Sequence, residues 1–258
     1  IDTPGDGNFI ADTSASLRVV DGAAVVISAV DGVQFYTEKV WNWATEQSIP
    51  KIIFLNKLDH EQASISPIIE SIGKKFKVSP FCVHIPIGTG EKFCGVVDVL
   101  ANKSYTYEKD GSGKNEVSVT PESMAEEVKS TYAELTELIA EVDDNLTENY
   151  LENGELLEAE FDEGLKKGLE EGKLLPVFIG SATQNIGIDL LMNAITEYLP
   201  SPSQRDPVIA KNIVDGSERP CAADPKATLS ALVFKTVADP YAGKLTLFRV
   251  FSGSIKGD

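Results

Sequence analysis

Apolar positions along this chain follow one rhythm up to about residue 79 and another beyond it. In the first part, short apolar runs alternate with stretches whose apolar residues recur every three to four positions, which is the pattern of strands followed by helices. A helix is predicted after Asn8, a strand from about Ala23 to Val30, and a helix holding Val40, Trp41 and Ala44. The run Lys51-Ile52-Ile53-Phe54-Leu55 is short, rich in β-branched and aromatic residues and has no polar face, as a buried parallel strand requires, and a further helix runs to about Lys77. Past Ser79 strand-like stretches crowd together: Phe81 to Ile87, Phe93 to Val99, Ser104 to Tyr107, and Val117 after the polar turn Asp110-Gly111-Ser112-Gly113-Lys114. That spacing predicts antiparallel pairing with a hairpin loop at the turn. A long helix then opens at Pro121 with Thr120 as its N-cap; Met124, Val128, Tyr132, Leu135, Ile139 and Val142 line one side, and Glu127, Glu134, Glu137 and Glu141 the other. A more acidic helix is predicted from about Leu156 to Glu171. The stretch Leu174 to Gly180 restores the buried-strand pattern. Beyond the linker Tyr198-Leu199-Pro200-Ser201-Pro202, strands are expected at Thr228 to Val237 and Lys244 to Phe251.

These rhythms divide the chain into an α/β unit over residues 1–78 and 174–203, an inserted α+β subdomain over 79–173, and the start of a β unit over 204–258. Charge sharpens the division. Residues 108–173 hold 20 acidic and 6 basic side chains, so they carry almost all of the formal net charge of −17. A negative patch of this density either faces away from nucleic-acid phosphates or is aimed at something basic. Cys82, Cys94 and Cys221 form no paired spacing and are read as reduced thiols of a cytoplasmic protein, and His60 and His84 are too isolated to suggest a metal site. No apolar run reaches the length of a membrane span, and the charged, glycine-containing opening is no signal peptide.

Three short motifs carry the chemistry. Asp2-Thr3-Pro4-Gly5 places an acid where a strand tip can hold Mg²⁺ through water, and a glycine whose bare Cα lets its N–H approach a terminal phosphate. Asn56-Lys57-Leu58-Asp59 sits at the carboxyl end of a buried strand, where α/β sheets bind ligands. Asp59 can accept from the N1–H and 2-amino group of guanine, Asn56 can bond N7 and brace neighbouring loops, and the Lys57 stem can lie across the ring. Adenine has no 2-amino donor and would leave the carboxylate unpaired. Ser181-Ala182 follows a third strand, and backbone N–H groups there can bond guanine O6. Plain alternatives are a Pro-Gly turn for the first motif and, for the second, a strand-to-helix turn with Asp59 as N-cap; the Ser-Ala pair carries weight only by its place after the others. No GxxxxGK[ST] phosphate loop is present, and the Asp110 to Lys114 turn resembles one only superficially. With Ile1 in place of an initiator Met, the chain is expected to be a fragment whose first phosphate grip lies before it.

In DTPG at Asp2, Ser-Leu-Arg-Val-Val-Asp-Gly-Ala from Ser16, Asn-Lys-Leu-Asp from Asn56, Ile-Pro-Ile-Gly from Ile85, Tyr-Leu-Pro-Ser-Pro from Tyr198 and Ala-Asp-Pro-Tyr-Ala-Gly from Ala238, the chain resembles bacterial elongation factor G and its paralogues along essentially its whole length. The resemblance implies a P-loop-GTPase-type parallel sheet whose amino-terminal part is missing, an acidic α+β insert, and the opening strands of a β-barrel second domain. It implies GTP or GDP with Mg²⁺, Asp2 and Gly5 serving metal and γ-phosphate, and Asn56, Lys57, Asp59, Ser181 and Ala182 holding the base. Hydrolysis coupled to ribosome translocation is the implied activity of the full-length protein, with this fragment inactive alone. The ribosome is the implied partner, through its basic stalk protein facing Glu127, Glu134, Glu137 and Glu141, and through ribosomal RNA contacted by domains beyond Asp258; no membrane is involved. The family has His directly after DTPG, to position the attacking water, whereas this chain has Asp6. A carboxylate beside a γ-phosphate is unfavourable, so a divergent paralogue that binds GTP but hydrolyses it slowly, or a fragment acting only as a stalk-binding module, stands as the alternative. A ribosome-protection or release-type factor shares the nucleotide motifs but fits the acidic insert and the ADPYAG stretch less well.

Overall fold

The computed structural model describes residues 1–241 and 243–257, so Ala242 of the ADPYAG stretch lies outside the described residues. In chain order, α1 (Ile10–Leu17), β1 (Ala23–Ser28), α2 (Phe35–Glu46), β2 (Lys51–Asn56), α3 (Ser66–Phe76) and β3 (Ser79–Cys82) are followed by β4 (His84–Ile87), β5 (Gly95–Asp98), β6 (Lys103–Tyr107) and β7 (Asn115–Val119). Then come α4 (Ala125–Ala140), α5 (Asp144–Asn153), α6 (Glu158–Glu170), β8 (Leu174–Ile179) and α7 (Ile188–Tyr198), and finally β9 (Val208–Lys211), β10 (Glu218–Cys221), β11 (Ser230–Asp239) and β12 (Gly243–Ser252).

The parallel sheet runs β1-β2-β8-β3, and β4-β5-β6-β7 form an antiparallel sheet beside it. Strand β2 shows why the first sheet has two covered faces. Ile53 and Leu55 pack with Trp41 of α2 and with Ile68 and Ile72 of α3, while Ile52 and Phe54 pack with Leu135 and Ile139 of α4, Phe161 of α6 and Ala194 of α7. All four β2 side chains are at most 1 % exposed, and each contributes about 1.5–3 kcal/mol of burial, which anchors the strand tip that follows. Trp41 also stacks on Phe76 with ring centroids 4.2 Å apart, fastening α2 to α3 on one face.

The apolar stretch 81–87, continuous in sequence, divides between two sheets. Its front half, as β3, pairs in parallel with β8, and its rear half, as β4, pairs antiparallel with β5. Val83 is the pivot: its N–H donates to the Val177 carbonyl and its own carbonyl accepts from Val99 N–H. Periodicity reports burial on both faces and is blind to which neighbour covers them, so the split is invisible in the pattern. The expected N-cap of the long helix is also replaced. Thr120 Oγ1 instead donates to Asn102 Oδ1 at 2.6 Å, and a 3₁₀ turn at Glu122–Met124 precedes α4. Tyr132, placed on the apolar stripe, is 41 % exposed, and its ring stacks on Phe161. Helix α5 falls where no element was expected; Asp143 caps its start by accepting from Asn145 N–H, and Gly154 ends it in the left-handed conformation.

Strands β11 and β12 fall close to the expected positions, and the stretch before them adds β9 and β10. These strands make two two-stranded antiparallel sheets, β9 with β10 and β11 with β12. The β11–β12 hairpin is tied to the α/β unit: Arg249 donates to the Val19 carbonyl and pairs with Asp21 at 2.6 Å, and Lys235 pairs with Asp12 of α1 at 2.9 Å.

His84 sits between the two larger sheets, 2 % exposed, edge-on to Phe178, with Nδ1 lacking a partner among the described residues. Burial pushes its pKa from the ordinary 6.5 down to about 3, so it folds uncharged. Between those values the unfolded chain binds the proton and the folded chain does not; stability is therefore full above pH 6.5 and is lost on acidification toward pH 3. Urea denaturation as a function of pH is expected to show a difference in slope of about 1.4 kcal/mol per pH unit between the wild type and His84→Leu in this window. Parallel profiles for the two proteins would show that His84 is protonated in the folded state.

Candidate functional site

Two parallel strands end side by side, and their tips carry most of the residues singled out from sequence. Leu55 of β2 is in register with Ile179 of β8, so Asn56 and the segment Gly180-Ser181-Ala182 emerge together. Gly180 is required at this junction, because a Cβ there would lie 2.3 Å from the Ile186 carbonyl oxygen and 2.9 Å from the Phe54 ring. The loop 181–186 is closed by reciprocal backbone bonds between Ser181 and Ile186, and the fully buried Ser181 Oγ accepts from Gln184 N–H at 3.2 Å and lies 3.1 Å from Thr183 Oγ1.

Asn56 joins the two tips. Its Oδ1 accepts from Lys57 N–H at 2.8 Å and from Ala182 N–H at 2.9 Å. The Ala182 donor, expected to be free for a ligand carbonyl, is therefore engaged in bracing, and Gln184 N–H is taken by Ser181. Thr183 N–H is left without a partner among the described residues. Asp59 is half-buried. Its Oδ2 accepts from Thr183 Oγ1 at 3.2 Å, while its Oδ1 is buried with no donor among the described residues. Asp59 caps no helix, since α3 begins at Ser66, which removes the alternative reading of this motif. A buried carboxylate oxygen without a hydrogen bond costs on the order of 1–3 kcal/mol or more, so this position is one that a ligand N–H would stabilise.

Lys57 adopts the left-handed conformation at φ 69°, rarely taken by a residue with a side chain. Its Nζ is paired with Asp31 Oδ2 at 3.4 Å, which holds the far end of the stem across the strand tips. Ser28 first and Lys57 next hold the Asp31 carboxyl below its usual range. Sequence reasoning passed over Asp31 and Thr183. Both had a signal available: Asp31 follows β1, and Ser28 at the end of β1 is in register with Asn56; Thr183 is the next polar residue after Ser181-Ala182.

Asp2, Gly5 and Asp6 form a separate group. Residues 1–5 have no strand pairing, all three of these residues are exposed, and no hydrogen bond joins them to the strand tips among the described residues. The carboxylate of Asp6 accepts from Asn8 N–H at 2.8 Å and caps the 3₁₀ turn Gly7–Phe9 that leads into α1. Gly7 lies under Tyr36 of α2, whose ring carbon would stand 2.1 Å from a Cβ there. No group of three or more His, Cys, Asp or Glu side chains able to hold a metal exists among the described residues. One carboxylate such as Asp2 fits only the mode in which Mg²⁺ is held mainly by phosphate oxygens and water.

A parallel sheet with Asn-Lys-x-Asp on one strand tip and a small-residue loop braced on the next defines a nucleotide-binding α/β domain of the GTPase type. The family model for the elongation factor Tu GTP-binding domain matches residues 1–201, and the chain belongs to that family of translational GTPases. Among solved structures, it is similar to ttk003000868 from Thermus thermophilus, with a TM-score of 0.79 and 28 % sequence identity; the match covers 98 % of this chain and 35 % of that one. The chain thus spans about a third of that relative's length. The matched family is that of a GTP-binding domain, and no helix among the described residues is long and apolar enough to cross a membrane.

The geometry at Asp59 yields a sharp test in the full-length polypeptide. Asp59→Asn presents an amide N–H where a carboxylate stood, and xanthine has a carbonyl where guanine has its 2-amino group. The substitution is expected to weaken GDP binding roughly 100-fold and to strengthen xanthosine diphosphate binding, as read by competition against a fluorescent nucleotide. Equal losses for both nucleotides would place the carboxylate away from the base.

Proposed function

We propose that this chain is the nucleotide-binding part of a translation elongation factor of elongation factor G type, which couples GTP binding and hydrolysis to movement on the ribosome. The observation that carries this reading is the buried, donorless Asp59 Oδ1 beside Thr183, on strand tips locked together by Asn56. In this reading Asp59 accepts from the base N1–H and 2-amino group, and the Asn56 amide faces N7. The Lys57 stem, held by Asp31, covers the ring, and the loop from Ser181 to Thr183 closes the O6 side. Asp2 would hold Mg²⁺ through water and Gly5 would meet the γ-phosphate; the metal would supply charge neutralisation between the β- and γ-phosphates.

The Asp6 carboxylate supports a second reading, a divergent paralogue with slow hydrolysis. It caps the turn before α1, a geometric use that a water-positioning His would not serve, and it would add negative charge beside a γ-phosphate held at Gly5. Ribosome-stimulated GTP hydrolysis by the full-length protein, with and without Asp6→His, separates the two. Strong stimulation in the wild type supports the translocase, and stimulation only in Asp6→His supports the paralogue. Hydrolysis that ribosomes do not stimulate in either protein would contradict both.

Glu127, Glu134 and Glu137 on α4, with Glu141 just past its end, are exposed. Within the proposed function this surface docks on the basic ribosomal stalk protein, a charge complementarity that raises association rate and is screened by salt. The double substitution Glu134→Lys and Glu137→Lys is expected to weaken stalk-protein binding at least tenfold at low salt, with the gap to wild type narrowing as salt is raised. Unchanged low-salt affinity would remove this surface from the interface.

A further inference from the structure

The geometry points to Tyr107 and Asn115 of the inserted subdomain, acting through Asp189, as positioning residues that set how long the base loop holds a nucleotide. The inference rests on the reading of Asp59 and the 181–186 loop as a guanine clasp, and it adds a control element outside the nucleotide motifs.

Helix α7 begins directly after that loop, and Asp189 lies in its first turn. Both carboxylate oxygens of Asp189 are held by the insert: Tyr107 Oη donates to Oδ1 at 2.6 Å and Asn115 Nδ2 to Oδ2 at 2.8 Å. Gly187, between the loop and Asp189, takes the left-handed conformation at φ 76°. A third tie is made by the polar turn of the β6–β7 hairpin. Asn185 Nδ2 donates to the Gly111 carbonyl at 3.3 Å, and a Cβ on Gly113 would stand 2.6 Å from that same amide.

The insert thus grips the end of the loop at 185 and the first turn of the following helix at 189. Tyr107 is only 4 % exposed and sits in the main core with Ile179, Ile186 and Leu190, so its hydroxyl is fixed in place. Burial first, and then the bond to Asp189, raise its pKa, which keeps it a donor at every physiological pH. A charge-assisted bond from a core residue to the first turn after the loop restrains the loop's opening, the motion a bound base needs in order to leave.

The test is the dissociation rate of N-methylanthraniloyl-GDP and of the corresponding GTP analogue from the full-length protein, in wild type, Tyr107→Phe and Asn115→Ala. Both variants are expected to release both nucleotides faster by the same factor, roughly tenfold for the tyrosine, a loss of about 1.4 kcal/mol. Single-turnover hydrolysis of bound GTP is expected to stay unchanged, because the grip acts on the base end and leaves the phosphates alone. Release within twofold of wild type in both variants, with the wild type binding GDP tightly, would overturn the positioning role and leave the guanine site standing. Slowed hydrolysis in step with faster release would also overturn it, since that marks general loosening. A wild type that does not prefer GDP over ADP would remove the underlying site reading as well.

Discussion

One side-chain oxygen holds the candidate site together. Asn56 Oδ1 accepts two backbone N–H groups, one from its own neighbour Lys57 and one from Ala182 at the tip of the adjacent strand. Two loops more than a hundred residues apart in sequence are fixed relative to each other by that shared acceptor. Thr183 then reaches Asp59, and the loop bearing it is closed on itself from Ser181 to Ile186. Without Asn56 the Ala182 donor would be unpaired and Asp59 would face a loop of undefined position.

The acceptor works because the strands beneath it do not shift. Strand β2 is buried on both faces, so its register with β8 is fixed by apolar side chains on each side of the sheet, and a one-residue slip would move all of them to the wrong face. The strained Lys57 backbone and the donorless Asp59 oxygen are each unfavourable alone. They persist because this frame over-determines them, the usual condition of a functional site. The antiparallel sheet adds a second frame: backbone bonds at Val83 join it to the parallel sheet, and Tyr107 and the β6–β7 turn bond Asp189 and Asn185 at the end of the 181–186 loop.

Much of this was legible in the residues. The β-branched run 51–55 and the run 174–180 announced parallel strands, and the positions of Asn56 and Ser181 at their ends followed from that alone. The split of 81–87 between two sheets was not legible, because an apolar residue buried by one sheet looks the same as one buried by another. Nor was α5, whose apolar positions are too few to give a period and whose identity rests on the Asp143 and Gly154 caps. Within the site, sequence named Asn56, Lys57, Asp59, Ser181 and Ala182 and gave Asn56 a bracing role, but not that the Ala182 N–H is the group it braces, nor the Asp31 anchor of Lys57, nor Thr183. Each of these depends on which loop lies next to which, a matter of strand order. Tyr107 and Asp189 were hidden for the same reason, 82 positions apart in the chain.

Removing a single functional group from the base tests the account most directly. Inosine diphosphate differs from GDP only in lacking the 2-amino group, one of the two donors assigned to Asp59. Equilibrium competition on the full-length protein is predicted to show inosine diphosphate binding on the order of 10- to 100-fold more weakly than GDP, the range for a hydrogen bond to a buried charge. Equal affinities for the two would mean that no 2-amino group reaches Asp59, and the clasp at the tips of β2 and β8 would have to be abandoned.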